Sequence, residues 1–229
     1  MTQTWHNLLF AHWPVEADAL RALMPPELPL DLYEGRAWLG IVPFRMSNVA
    51  PRGMPSIPFV SSFPELNVRT YVTVNGRPGV YFFSLDAGST IAVAAARTLL
   101  GLPYHAARMC VEVSDGEVRY ESVRETRGRE VAAFRAHYRP HAPIETARAG
   151  TLEYFLAERY CLYLVDDSSH VQRLEVHHVE WPLQVAEATI EENTMADAAG
   201  IRLPSTPPLL HYAHRLDMVA WAPYRVSDL

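Results

Sequence analysis

The chain has 229 residues, a formal net charge of −6, 49% hydrophobic residues and 20% charged residues. This balance excludes a disordered chain and leaves no electrostatic footprint for nucleic acid. All 20 cationic residues are arginine, so no side-chain amine is present and Schiff-base formation with a carbonyl substrate has no side-chain nucleophile.

The N-terminal stretch MTQTWHNLLFAHW lacks a basic region followed by a long apolar run, so it does not read as a secretion signal. No window approaches the roughly 20 apolar residues that cross a bilayer. The two cysteines, Cys110 and Cys161, stand in apolar runs and are expected as buried thiols, which points to a soluble, cytoplasmic protein. A helix is predicted from Pro14 to Met24, stopped by Pro25-Pro26. LDLYEGRAWLGIVPFRM reads as two strands joined at Glu34-Gly35, and MSNVAPRGMPSIPFVSSFP as a long proline-studded loop of the kind that serves as a lid.

FPELNVRTYV, from Phe63 to Val72, is a strand with two unlike faces. Leu66, Val68, Thr70 and Val72 alternate with Glu65, Asn67, Arg69 and Tyr71. Asn75-Gly76 is a strong hairpin signal, and GVYFFSLD follows it. A two-residue turn sets Val74 opposite Arg77, Thr70 opposite Tyr81, Arg69 opposite Phe82, Asn67 opposite Ser84 and Glu65 opposite Asp86. That register gathers Glu65, Asn67, Arg69, Tyr71, Ser84 and Asp86 on one surface. Either the surface is a wet outer face or it lines an enclosed site. The apolar neighbour VYFFSL favours enclosure, because Phe82 opposite Arg69 suits a partly closed lumen.

STIAVAAARTLLG is the clearest helix, capped by Ser89 or Thr90 and ended by Gly101. HAARMCVEVSDGEVRYESVRE forms a hairpin at Asp115-Gly116, and EVAAFRAHYRP continues the strand pattern. Its cluster Arg119, Arg124, Arg127 and Arg129 alternates with glutamates and reads as a solvated rim. GTLEYFLAERY is a short helix with Thr151 as N-cap, packing Leu152, Phe155 and Leu156, with Arg159 and Tyr160 near the rim of the cavity. CLYLVDD, VQRLEVHHVEWPL and HRLDMVAWAPYRV complete the strands, while Trp38, Trp181 and Trp221 read as core or cavity wall. Many strands with three short helices give an α+β class: one domain over 1–229, a mostly antiparallel sheet closing into a barrel.

The run AVAAARTLLGLPYHAARM after FPELNVRTYV and GVYFFSLDA, together with WHNLLFAHWPV, GRAWLGIVPFRM, LEYFLAERYCLY and HHVEWPL, resembles the YqjF-like family of uncharacterised proteins over essentially the whole chain. That family is in turn similar to the acetoacetate decarboxylase superfamily, which implies a cone-shaped β-barrel around a small buried site and a homo-oligomer. In those decarboxylases a helix ending in arginine-glutamate precedes a glycine, a proline and two lysines. Here Arg97 falls at the arginine, Thr98 replaces the glutamate, Gly101 and Pro103 match, and Tyr104 and His105 stand at the lysine positions. Glu65 is the counterpart of the superfamily's lumen glutamate. The resemblance implies the fold and the place of the cavity, not the iminium reaction, which the absence of lysine rules out.

Three functions remain open at this level. One is a binding barrel for a small anionic or carbonyl-bearing metabolite, with Asn67, Arg69, Tyr71, Ser84, Asp86 and Arg97 as ligand contacts. A second is a lysine-free acid–base enzyme with Glu65 as base and His105 or Tyr104 as acid. The third is an assembly protein whose Glu65, Arg69 and Asp86 form only a structural ion-pair network. No metal and no cofactor is expected. His177 and His178 are adjacent on a strand and face opposite ways, His211 and His214 have helical spacing in a proline-flanked loop, and His137 and His141 bracket a turn.

Overall fold

The computed structural model describes residues 1–51, 53 and 61–226. Most of the proline-studded loop read as a lid therefore lies outside the described residues. Twelve strands and four helices alternate along the rest. β1 (Thr2–Val15) and α1 (Ala17–Arg21) lead into β2 (Ala37–Ala50), β3 (Phe63–Val74) and β4 (Arg77–Ala87). After α2 (Thr90–Leu100) come β5 (Tyr104–Ser114), β6 (Glu117–Thr126), β7 (Arg129–Pro140) and α3 (Leu152–Ala157). β8 (Cys161–Val165), β9 (Val171–His178), β10 (Gln184–Asn193), α4 (Met195–Ala198), β11 (Leu209–Ala220) and β12 (Tyr224–Arg225) complete the order. Among the described residues no helix is long and apolar enough to cross a membrane.

The turns form where short-range chemistry demands them. Asn75 and Gly76 have φ of 52° and 70°, and Asp115 and Gly116 have φ of 51° and 79°. Both pairs adopt the left-handed turn that matches the twist of the flanking strands. Ser89 accepts a hydrogen bond from the Ala92 N–H at 3.3 Å, and Thr151 one from the Tyr154 N–H at 3.3 Å, so both helices start at their expected caps. Gly101 closes α2 at φ 66°.

Elsewhere long-range pairing overrides local signals. Pro14 lies in a strand instead of opening a helix, because β1 pairs with β2 and β11. Around Glu34-Gly35 the chain does turn, but Tyr33↔Arg36 and Leu30↔Val72 are isolated bridges, not a second strand. His211 and His214 lie in β11, buried and exposed respectively, and His137 lies in β7. Cys161 is a buried free thiol, but Cys110 is an exposed one, on the outward alternation of β5.

The pairing order β12-β9-β8-β4-β3-β2-β1-β11-β10-β7-β6-β5, with β9–β11 and β4–β5 as additional partners, closes two rings that share β4, β3, β2, β1 and β11. Where the shared strands are covered on both sides, as β3 is along nearly its whole length, their side chains serve two interiors. The larger ring encloses hydrocarbon and ring edges, including Leu66, Val68, Tyr120, Phe134 and Tyr138. The smaller ring, completed by β8 and β9, is lined by the opposite face.

One buried ion pair sits in the larger ring. Arg124 donates from Nε to Asp86 Oδ2 at 3.0 Å, from a terminal nitrogen to Asp86 Oδ1 at 2.5 Å, and to Ser84 Oγ at 3.0 Å. The expected solvated rim holds for Arg119, Arg127 and Arg129, which are exposed, but not for Arg124. Arg124 is in phase with Val118, Tyr120 and Ser122 on the inward face of β6. Truncating one partner leaves a buried charge alone. We expect Arg124→Leu to cost about 3–5 kcal/mol in urea unfolding, and Arg124→Leu with Asp86→Leu to cost clearly less. A double variant as unstable as the single one would contradict this.

Candidate functional site

β3 is buried on both faces. Glu65, Asn67 and Arg69 are only 4%, 5% and 9% exposed, while Leu66, Val68 and Thr70 between them are fully buried. The polar face does not meet water. It lines a cavity of about 120 Å³ in the smaller ring, with Phe82 and Leu85 of β4, Tyr104 at the start of β5, Arg159 after α3, and His178 of β9.

The register of the β3–β4 hairpin is as expected from the turn up to Arg69↔Phe82. There a bulge intervenes: Phe83 has no partner, Val68 faces Ser84 and Leu66 faces Asp86. One extra residue sends Ser84 and Asp86 to the opposite face. The expected six-residue surface is therefore corrected. Glu65, Asn67 and Arg69 stay in the cavity, and Ser84 and Asp86 bind Arg124 in the larger ring. The proposed network of Glu65, Arg69 and Asp86 does not form.

The two residues after Pro103 part company in the same way. β5 starts parallel to β4, with Leu85↔Tyr104 and Asp86↔His105 in register. Tyr104 enters the cavity, where its hydroxyl donates to Glu65 Oε2 at 2.7 Å. His105 is half-buried beside Asp86 and does not line the cavity. Its pKa falls to about 4, through burial and then the charges of Arg124 and Arg97, so it is neutral at pH 7. Arg97 is exposed on α2 and also lies outside the lining.

Tyr71 supports the site from behind. It is fully buried, its hydroxyl meets His12 Nε2 at 2.7 Å, and the guanidinium carbons of Arg69 and Arg159 lie 5.8 Å and 5.0 Å from its ring centre. Gly40 makes this packing possible, since a Cβ there would come within 3.1 Å of the His12 ring and 3.4 Å of Arg69 Cγ. His12 went unnoticed in the sequence because only the neighbouring strand brings it to Tyr71.

Burial dominates the electrostatics. Glu65 is pushed from 4.5 to about 8 by desolvation; the Tyr104 hydrogen bond opposes the rise and Asp86 adds to it. Arg159 is compensated, with Asp31 at 2.7 Å and the Phe155 carbonyl at 2.6 Å. Arg69 donates to the Leu156 carbonyl at 3.2 Å, and among the described residues it has no carboxylate partner. His178 holds Val179 O at 2.7 Å through Nδ1, which must carry the proton because a carbonyl only accepts. Burial lowers its pKa. Trp181 lines the cavity and Trp38 is buried, but Trp221 is exposed, on an outer cleft. Among the described residues no group of three or more His, Cys, Asp or Glu could hold a metal ion.

The Glu65 proton gives a signed prediction. Between pH 4.5 and 8 the unfolded chain releases this proton while the folded chain keeps it, so ionisation elsewhere in the ensemble favours unfolding as pH rises. Glu65→Gln removes that dependence. Its stability relative to the parent should climb from pH 5 to pH 8, by several kcal/mol (order of magnitude) in denaturant titrations. A difference independent of pH would show that Glu65 is ionised throughout.

The family model described as "Uncharacterized conserved protein" matches residues 2–217. YqjF of Bacillus subtilis (strain 168) is 48% identical over 221 residues, covering 96% of this chain and 90% of that protein. Among solved structures, acetoacetate decarboxylase from Legionella pneumophila aligns with a TM-score of 0.66 at 13% identity, over 99% of this chain and 87% of that one. An acetoacetate decarboxylase-like enzyme from Sphingomonas wittichii RW1 aligns with a TM-score of 0.68 at 12% identity, over 100% and 93%. The enduracididine biosynthesis enzyme MppR complexed with pyruvate gives a TM-score of 0.66 at 13% identity, over 99% and 90%. At such identities these structures share the fold with this chain.

Proposed function

The chain belongs to this family of uncharacterised conserved proteins, and on that premise we propose that its cavity binds a small monocarboxylate without amine chemistry. Arg69 carries the reading. A guanidinium this deeply buried is costly unless a counter-charge meets it, and the protein provides none among the described residues. Of the other ionisable side chains in the lining, Arg159 is paired with Asp31 and Glu65 retains its proton at pH 7. A ligand carboxylate matches the planar donors of Arg69.

Size narrows the class further. The cavity of about 120 Å³ lies well below the roughly 300–1,000 Å³ of pockets that take drug-sized molecules, so the ligand has only a few carbons. The pyruvate complex of MppR, a protein of the same fold, supports a ligand of this size and charge.

A second reading, acid–base catalysis on such an acid, draws on the Glu65–Tyr104 pair. A carboxyl titrating near 8 and hydrogen-bonded to a phenol at 2.7 Å is suited to moving a proton near neutral pH. In this reading Tyr104, not His105, is the acid. If the pair does act, Glu65→Gln should lower turnover of any acid found to react by at least about a hundredfold. Turnover unchanged in Glu65→Gln would end this second reading.

Binding is tested by a thermal-shift series of two- to five-carbon carboxylic acids. At about a hundred times Kd, an acid of the right class should stabilise the protein by ~2.7 kcal/mol. Arg69→Met should lose the shift. The proposal fails if no acid in the series shifts the parent protein, or if Arg69→Met responds equally.

A further inference from the structure

Two buried polar atoms of the cavity-lining residues have no hydrogen-bond partner among the described residues: Arg69 Nε and Asn67 Oδ1. One is a donor and the other an acceptor. They belong to side chains two positions apart on the same face of β3, whose Cα atoms are separated by about 7 Å. Buried polar atoms are normally paired, and an orphaned one carries the cost of its desolvation. A carboxylate answers only the first of these atoms. Resting on the monocarboxylate reading above, we propose that the ligand is a small hydroxycarboxylic acid, its carboxylate on Arg69 and its hydroxyl donating to Asn67 Oδ1.

The rest of the lining excludes the alternative donors. An ammonium group would bring a second positive charge into a space that already holds the guanidinium of Arg69, with Arg159 beside it. The neighbouring acids are already engaged: Glu65 by the Tyr104 hydroxyl, Asp31 by Arg159, and Glu158 by the Trp181 N–H and the Tyr160 hydroxyl. A hydroxyl donates without adding charge. With the Asn67 amide oriented as in the structure, a 2-oxo acid presents acceptors only and leaves Oδ1 unanswered. The remaining wall is mostly apolar, with Val80, Leu102, Leu162 and Leu174 beside the rings of Phe10, Phe82 and Trp181, and suits a short alkyl tail.

The test compares three acids on one carbon skeleton by calorimetry: the 2-hydroxy acid, the 2-oxo acid and the unsubstituted acid, with skeletons of three to five carbons. In the parent protein the hydroxy acid should bind about ten- to a hundredfold more tightly than either analogue, since a buried acceptor left unpaired is penalised. In Asn67→Ala, and in Asn67→Leu should the alanine variant fail to fold, the ratio of hydroxy to unsubstituted affinity should fall to near one. Equal or tighter binding of the 2-oxo or unsubstituted acid overturns this inference and leaves the carboxylate reading standing. So does a preference that survives at position 67. If none of the three acids binds on any skeleton, both readings fall together.

Discussion

The structure depends on β3 being covered on both faces. A strand inside a half-wet sheet can send its polar side chains to solvent, but this one cannot, because the two rings share it. Each polar group on β3 must therefore find a partner within the protein or in a ligand. Thr70 finds the Trp38 carbonyl at 2.8 Å, and Glu65 receives the Tyr104 hydroxyl. Tyr120 secures the strand itself, donating to the Glu65 carbonyl at 2.6 Å. Asn67 and Arg69 are left with atoms unmatched, and the proposed ligand chemistry rests on these two residues.

The bulge at Phe83 divides the buried charges between the two interiors. Had β4 kept its register, Asp86 would face the cavity opposite Glu65, and two carboxyl groups would compete for one low-dielectric space. Displaced by one residue, Asp86 meets Arg124 through a two-pronged contact in the larger ring, where the cation holds its pKa back against the upward push of burial. Glu65 is left with a neutral phenol for company, and desolvation prevails. A single unpaired residue thus gives two acidic side chains opposite environments.

The same alternation separates the residues aligned with the decarboxylase lysines. Tyr104 turns into the cavity and His105 turns away, although they are neighbours in the chain. The cavity is enclosed, as the resemblance implies, and at the first lysine position it carries the hydroxyl of Tyr104, hydrogen-bonded to Glu65. Arg69 remains as a fixed cation, braced by the rings of Phe10 and Tyr71. That fixed cation is the feature on which our proposal of a small-anion site rests.

What short-range chemistry decides could be read from the residues. The turns at Asn75-Gly76 and Asp115-Gly116, the caps at Ser89 and Thr151, the left-handed Gly101 and the two-faced pattern of Glu65 to Val72 all follow from backbone preference and period-two alternation, and the absence of lysine removes every side-chain amine that could form an imine. What depends on distant partners could not be read. β1 became a strand because β2 and β11 flank it, Arg124 went inward because Asp86 awaited it, and His12 met Tyr71 across Gly40. Whether the polar face of β3 met water, and which of its expected companions shared it, was decided only by ring closure and by a bulge. Both are properties of strand pairing over long separations, and no local periodicity encodes them.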